Sequence, residues 1–227
     1  MHPSTLPREI IDRVTARRGR PYAFPAIDAR RTALAVIDMQ NAFVAPGSCG
    51  EVPAARGIVA NINRLAEATR SAGGRVAWLQ TELPPGEPGG GWPVFFGEIF
   101  NAELSARYLE GLTRGSEGHR LWPALRTAEG DLFVPKTRFS AFLPGACELA
   151  ERLRDLGIDT VLITGTLTNV CCESSGRDAM MRGFRVIIVG DANATRNDAE
   201  HMATLVTFHQ TFGDVRSTDE TIALLAR

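Results

Sequence analysis

Short, continuous apolar runs alternate along this chain with longer stretches of helical periodicity, and that alternation restricts the folds open to it. The apolar runs cover residues 33–39 (ALAVIDM), 76–80, 131–134, 160–165 (TVLITG), 185–189 and 213–215. A run that is apolar throughout, rather than at every second position, suits a strand buried on both faces of a parallel sheet. Helical patterns fall between the runs, at 56–71, 146–156, about 171–182, 198–211 and 218–225. In the first of these Ile58, Ile62 and Leu65 share one side and Gly73 and Gly74 end it, while Ser217 starts the last. Strands and helices in this order imply right-handed crossovers and helices on both faces of the sheet. The predicted fold class is therefore α/β: a three-layer α/β/α sandwich around a mainly parallel, Rossmann-like sheet of about six strands. At 227 residues the chain suits a single such domain over 31–227, preceded by an N-terminal arm at 1–30 with a short helix near 7–18. One region is irregular. Residues 81–118 open with PPGEPGGGWP and continue through Trp92, Phe95, Phe96, Phe100 and Tyr108. So long a connection is expected to serve as a lid or an interface.

Composition narrows the class of function. A net charge of −1 argues against nucleic-acid or membrane-surface partners, which call for a basic face. No apolar run approaches the roughly 18 residues of a membrane span, and the first twenty residues lack a signal-peptide pattern. The expected location is the cytoplasm. Cys49, Cys147, Cys171 and Cys172 form no CxxC, so neither a disulfide framework nor a zinc site is expected, and one of these thiols is free to act as a nucleophile.

In a doubly wound sheet, sites form beyond the carboxyl ends of the strands. Three residue types with chemical use stand there. Asp38 ends the first buried strand; a carboxylate there is costly without a partner. Lys136 follows the third strand and is the single lysine among 25 basic side chains, the rest being arginine. Its compact ammonium differs from the broad guanidinium in fit and in how readily its pKa moves. Cys171 follows the fourth strand near the start of a helix, a position expected to lower a thiol's pKa. Plain alternatives stand beside each: an aspartate capping a turn, a surface lysine, a buried structural cysteine. Together, a base, a cation and a thiol delivered to one sheet edge form a set suited to nucleophilic catalysis.

The segments TALAVIDMQNAF, VPKTRFSAF and VLITGTLTNVCCESSGRDAMMRGFRVIIVGDANAT carry a resemblance, from about Thr32 to the C-terminus, to the isochorismatase-like cysteine hydrolases. The resemblance implies a catalytic triad of Asp38, Lys136 and Cys171. It also implies a cis peptide at Thr166–Leu167 and an oxyanion hole made by the backbone N–H groups of Leu167 and Cys171. The function it implies is a cysteine-dependent amidohydrolase that cleaves a C–N bond of a small amide, ureido or N-carbamoyl compound through a thioester. The competing functions are an ester or isochorismatase-type ether hydrolase, and a non-catalytic binding member of the fold. Members with a metal carry an Asp-x-His pattern after the second strand; here Thr81 stands at the Asp position and no histidine follows, so no metal and no cofactor are expected. Phe43, Gln80, Arg138 and Asn169 are the candidate substrate contacts, with Gln80 suited to a carbamoyl group and Arg138 to a carboxylate; local packing or capping is the alternative for each. Cys172 is expected to pack in a helix, and His119, His201 and His209 are given no role. The family resemblance and the aromatic segment at 92–108 point to a homo-oligomer, a dimer or a tetramer.

Overall fold

The computed structural model describes residues 2–84 and 86–227, so Pro85 in the loop after the second strand lies outside the described residues. Six strands form one sheet: β1 (Thr32–Ile37), β2 (Arg75–Thr81), β3 (Leu132–Lys136), β4 (Thr160–Thr166), β5 (Arg185–Ala194) and β6 (Asp214–Arg216). Their spatial order is β3-β2-β1-β4-β5-β6, and every neighbouring pair is parallel. The order reverses between β1 and β4, and this places the switch point of the sheet at the ends of those two strands.

Alternation along each strand divides the core into two layers. Ala33, Ala35 and Ile37 of β1 face one way and pack with Leu149 and Leu153 of α5 (Leu149–Asp155), Ala179 of α6 (Glu173–Met181), and Leu205 and Phe208 of α7 (Asp198–Thr211). Leu34 and Val36 face the other way, toward Ile62 and Leu65 of α3 (Val59–Ser71) and Leu224 of α8 (Thr218–Leu225). Successive residues of a strand point to opposite faces, so a run that is apolar at every position is what a sheet covered on both sides requires. The three-layer expectation holds.

Several boundaries differ from the sequence expectation for identifiable reasons. β3 continues through Pro135 to Lys136, because β3 is an edge strand bonded only to β2 and the missing N–H costs no ladder bond. β5 runs to Ala194 rather than stopping at Val189: its pairing with β4 shifts register, and the Asn193 amide donates to the Ile163 and Val189 carbonyls across the irregularity. The long segment after β2 holds a ten-residue helix, α4 (Ala102–Gly111), started by Asn101, whose side chain accepts from the Leu104 N–H. A further short helix, α2 (Asn41–Val44), follows β1. The N-terminal arm is docked: α1 (Arg8–Arg18) buries Ile10 and Val14 and packs on α7, and the Asp214 carboxylate accepts from the Ala23 and Phe24 N–H groups.

Gly165 sets how closely the two central strands approach at the site. It pairs with Ile37 at φ +117°, and a Cβ there would lie 2.1 Å from the Ile37 carbonyl oxygen. No side chain fits that gap, so glycine is required where β1 and β4 deliver their last residues.

Candidate active site

Asp38, directly after β1, has φ 53°, a left-handed backbone conformation that aspartate adopts more readily than most residues. Its carboxylate is fully buried. Oδ2 accepts from Lys136 Nζ at 2.8 Å, and Oδ1 accepts from the Thr81 hydroxyl at 2.8 Å and the Thr81 N–H at 3.1 Å. Lys136 Nζ also donates to Thr81 Oγ1 at 2.7 Å and to the Arg138 carbonyl at 3.1 Å, so its three N–H donors have three acceptors. The strand order explains the arrangement. β2 lies between β1 and β3, and Thr81 is the register partner of Lys136, so its hydroxyl stands between the lysine and the aspartate and bonds both. Burial works against the Lys136 charge, but the Asp38 carboxylate and its hydrogen bond hold the pKa above the usual lysine value.

Cys171 lies in a π-helical turn, Thr168–Cys172, that runs from the cis peptide Thr166–Leu167 into α6. Its thiol is buried within electrostatic reach of the Asp38 carboxylate, the Lys136 ammonium and the Leu167 N–H. The expectation of a lowered thiol pKa is corrected here. Burial pushes the Cys171 pKa up, and the Asp38 charge pushes it further; Lys136 and the Leu167 N–H offset only part of this. Burial first, and then the nearby carboxylate, outweigh the helix end, so the thiol's pKa is raised rather than lowered. Cys172 is fully buried with the apolar layer below α6, and burial raises its pKa well above the ordinary value.

Cys171 opens into a cavity of about 260 Å³. Residues 81–118 build most of its apolar wall, including Leu83, Trp92, Phe95, Phe96, Phe100 and Tyr108. Of the candidate substrate contacts, Phe43, Arg138 and Asn169 line this cavity and Gln80 does not. Gln80 alternates with Thr81 along β2, so it faces away from the site, where its amide donates to the His119 carbonyl at 2.9 Å. Arg138 is spent structurally: its guanidinium donates to the Thr137 and Gly91 carbonyls and stacks over Trp92 at 4.9 Å, tying the wall segment to the end of β3. The Asn169 side chain bonds Thr195 and Glu200. Thr81, Arg196 and Glu200 also line the cavity and were not singled out by the sequence. Thr81 resembles any strand threonine, and only the strand order reveals its place between the charges.

The histidines stand apart from the reacting groups. His201 and His209 are buried on α7; His201 Nδ1 lies 2.9 Å from Thr168 Oγ1, and His209 Nδ1 accepts from the Val215 N–H. Among the described residues no group of three or more His, Cys, Asp or Glu is placed to hold a metal ion, and no helix is long and apolar enough to cross a membrane.

Comparison with known proteins agrees with this geometry. The chain is 34% identical over 233 residues to the ureidoacrylate amidohydrolase RutB of Variovorax paradoxus, covering 97% of this chain and 90% of that protein. Among solved structures, it is similar to a cysteine hydrolase from Pseudomonas syringae pv. phaseolicola, with TM-score 0.78, 28% identity, and coverage of 91% of this chain and 98% of that one. It is also similar to an N-carbamoylsarcosine amidase from Thermoplasma acidophilum, with TM-score 0.67, 26% identity, and coverage of 83% and 97%. The sequence model of the isochorismatase domain matches residues 32–220, and the chain belongs to the isochorismatase family.

Proposed function

We propose that the protein is a cysteine-dependent amidohydrolase that cleaves a C–N bond, other than a peptide bond, in a small amide, ureido or N-carbamoyl compound. One observation carries the reading: the Cys171 thiol lines the cavity within electrostatic reach of a buried Asp38 carboxylate that Lys136 holds at 2.8 Å. Asp38 takes the thiol proton as Cys171 Sγ attacks the carbonyl carbon. The nearby Lys136 ammonium offsets the added negative charge, which is why a thiol with a raised pKa still serves as nucleophile. The tetrahedral oxyanion accepts from the backbone N–H groups of Leu167 and Cys171. Asp38 returns its proton to the leaving nitrogen, ammonia or an amine departs, and a thioester remains on Cys171; for a carbamoyl substrate the remaining species is the thiocarbamate. Asp38 then takes a proton from water, the hydroxide adds to the carbonyl, and the C–S bond breaks to restore the thiol.

Support for the C–N assignment over ester or ether cleavage comes from the relatives, which include a ureidoacrylate amidohydrolase and an N-carbamoylsarcosine amidase. A panel of primary amides, ureido compounds, esters and vinyl ethers, with ammonia and acid release as readouts, tests it. Ammonia release from amides or ureides is expected; turnover confined to esters or ethers would favour the alternative. Residues 81–118 act as the lid of the site in this account, over a single hydrolase domain at 31–227. The enzyme is taken to be a cytoplasmic homo-oligomer. Val94 and Ile99, 66% and 65% exposed on the lid segment, support association between copies, and light scattering in solution tests it.

A further inference from the structure

The cavity walls are unusually selective for one kind of surface. Trp92 stacks on Phe95 at 4.6 Å and meets Phe139 edge-on at 4.7 Å, and Phe95 packs on Phe100 at 4.7 Å. Phe100 in turn lies 5.1 Å from Tyr108. Faces and edges of this set give a planar ring favourable offset or edge-on partners. The space, about 260 Å³, is below the roughly 300–1,000 Å³ typical of drug-sized ligands, so it suits one ring plus the reacting group.

The polar groups on the wall are mostly committed elsewhere. Thr81 is bonded to Asp38 and Lys136, Arg138 to two carbonyls, and Asn169 to Thr195 and Glu200. The Glu200 carboxylate is turned toward Asn169 and Thr195. Arg196 differs. It is exposed, it lines the cavity near Tyr108, and among the described residues it makes no ion pair. A guanidinium has five N–H donors, so most of them remain free for an anion.

We propose that the preferred substrate is an amide or carbamoyl compound whose remainder carries one aromatic ring and one anionic group, with the ring against the Trp92–Phe95–Phe139 wall and the anion on Arg196. The proposal rests on Cys171 as nucleophile and adds the substrate class. A small polar acyl group would leave the aromatic wall wet and lose the burial that the ring supplies.

Steady-state kinetics with three matched probes test it: N-carbamoylphenylglycine, which has ring and carboxylate; benzylurea, which lacks the carboxylate; and N-carbamoylglycine, which lacks the ring. The first should exceed each of the others by about tenfold or more in kcat/KM. Arg196→Met should narrow the ratio between the first probe and benzylurea by about tenfold, acting through KM. Turnover of N-carbamoylglycine equal to that of the aromatic carboxylate would overturn the ring, and a ratio unmoved by Arg196→Met would overturn the anion contact. If none of the three reacts while other amides do, the substrate class is wrong and the nucleophile stands. If no amide reacts at all, the Cys171 assignment itself falls.

Discussion

Lys136→Met keeps the length of the side chain and removes its charge. Lys136 is 1% exposed and Asp38 0%, and the two are joined at 2.8 Å. The variant leaves the Asp38 carboxylate buried with only the Thr81 donors, and breaking a buried pair in this way costs about 3–5 kcal/mol. Asp38→Asn leaves the ammonium without its counter-charge at a similar cost. The double variant buries no unpaired charge, and the Thr81 N–H and hydroxyl still find an amide oxygen where Oδ1 was. Its cost should therefore fall short of the sum of the two single costs by about 2–4 kcal/mol. Urea denaturation of the four proteins at pH 7 measures this coupling directly, provided the slopes agree. All three variants should lose turnover, because the double variant restores stability and not the base. Additive costs, with coupling below about 0.5 kcal/mol, would refute the claim that the two charges form one buried unit.

Other predictions follow from single contacts. Lys136→Arg should lower kcat by about a hundredfold or more, since a planar fork cannot reproduce three acceptors at 2.7–3.1 Å around one buried nitrogen; near-normal kcat would return the lysine to a structural role. Gly165→Ala should cost more than about 3 kcal/mol, because the added Cβ would fall 2.1 Å from the Ile37 oxygen, and a melting temperature within a few degrees of the parent would contradict that placement. Burial, then His2, lowers the His201 pKa to about 4 from 6.5. The unfolded chain therefore binds the extra proton first as pH falls, so stability present above about 6.5 drains away toward pH 4, by about 2 kcal/mol between pH 7 and pH 5. His201→Gln should remove that part of the pH dependence, and an unchanged difference between the two pH values would count against it.

The layers of the fold were legible because burial on both faces leaves uninterrupted apolar runs, and α7 and α8 match the expected bounds because Asn197 and Ser217 cap them with side-chain bonds. Strand ends were less legible. Pro135 reads as a stop unless its strand is known to lie at an edge, and Asn193 reads as a loop residue although its amide bridges an irregular pairing. In the site, Asp38, Lys136 and Cys171 were reachable by asking which polar residues end buried strands. The direction of the Cys171 shift was not, because it depends on the thiol's burial and on the Asp38 charge beside it rather than on its place in a helix. Gln80 was chosen for its amide, but one step along a strand turns a side chain to the other face. Arg196 and Glu200 come from the β5–α7 connection and its helix, and nothing in their local sequence marks them as cavity residues.

The claim that Cys171 carries the chemistry is tested most directly by the turnover of Cys171→Ala on the best amide or carbamoyl substrate, with folding checked by its unfolding curve. The account predicts a folded protein whose kcat falls by about 10⁴ or more. A folded Cys171→Ala protein that retains activity within tenfold of the parent would contradict it.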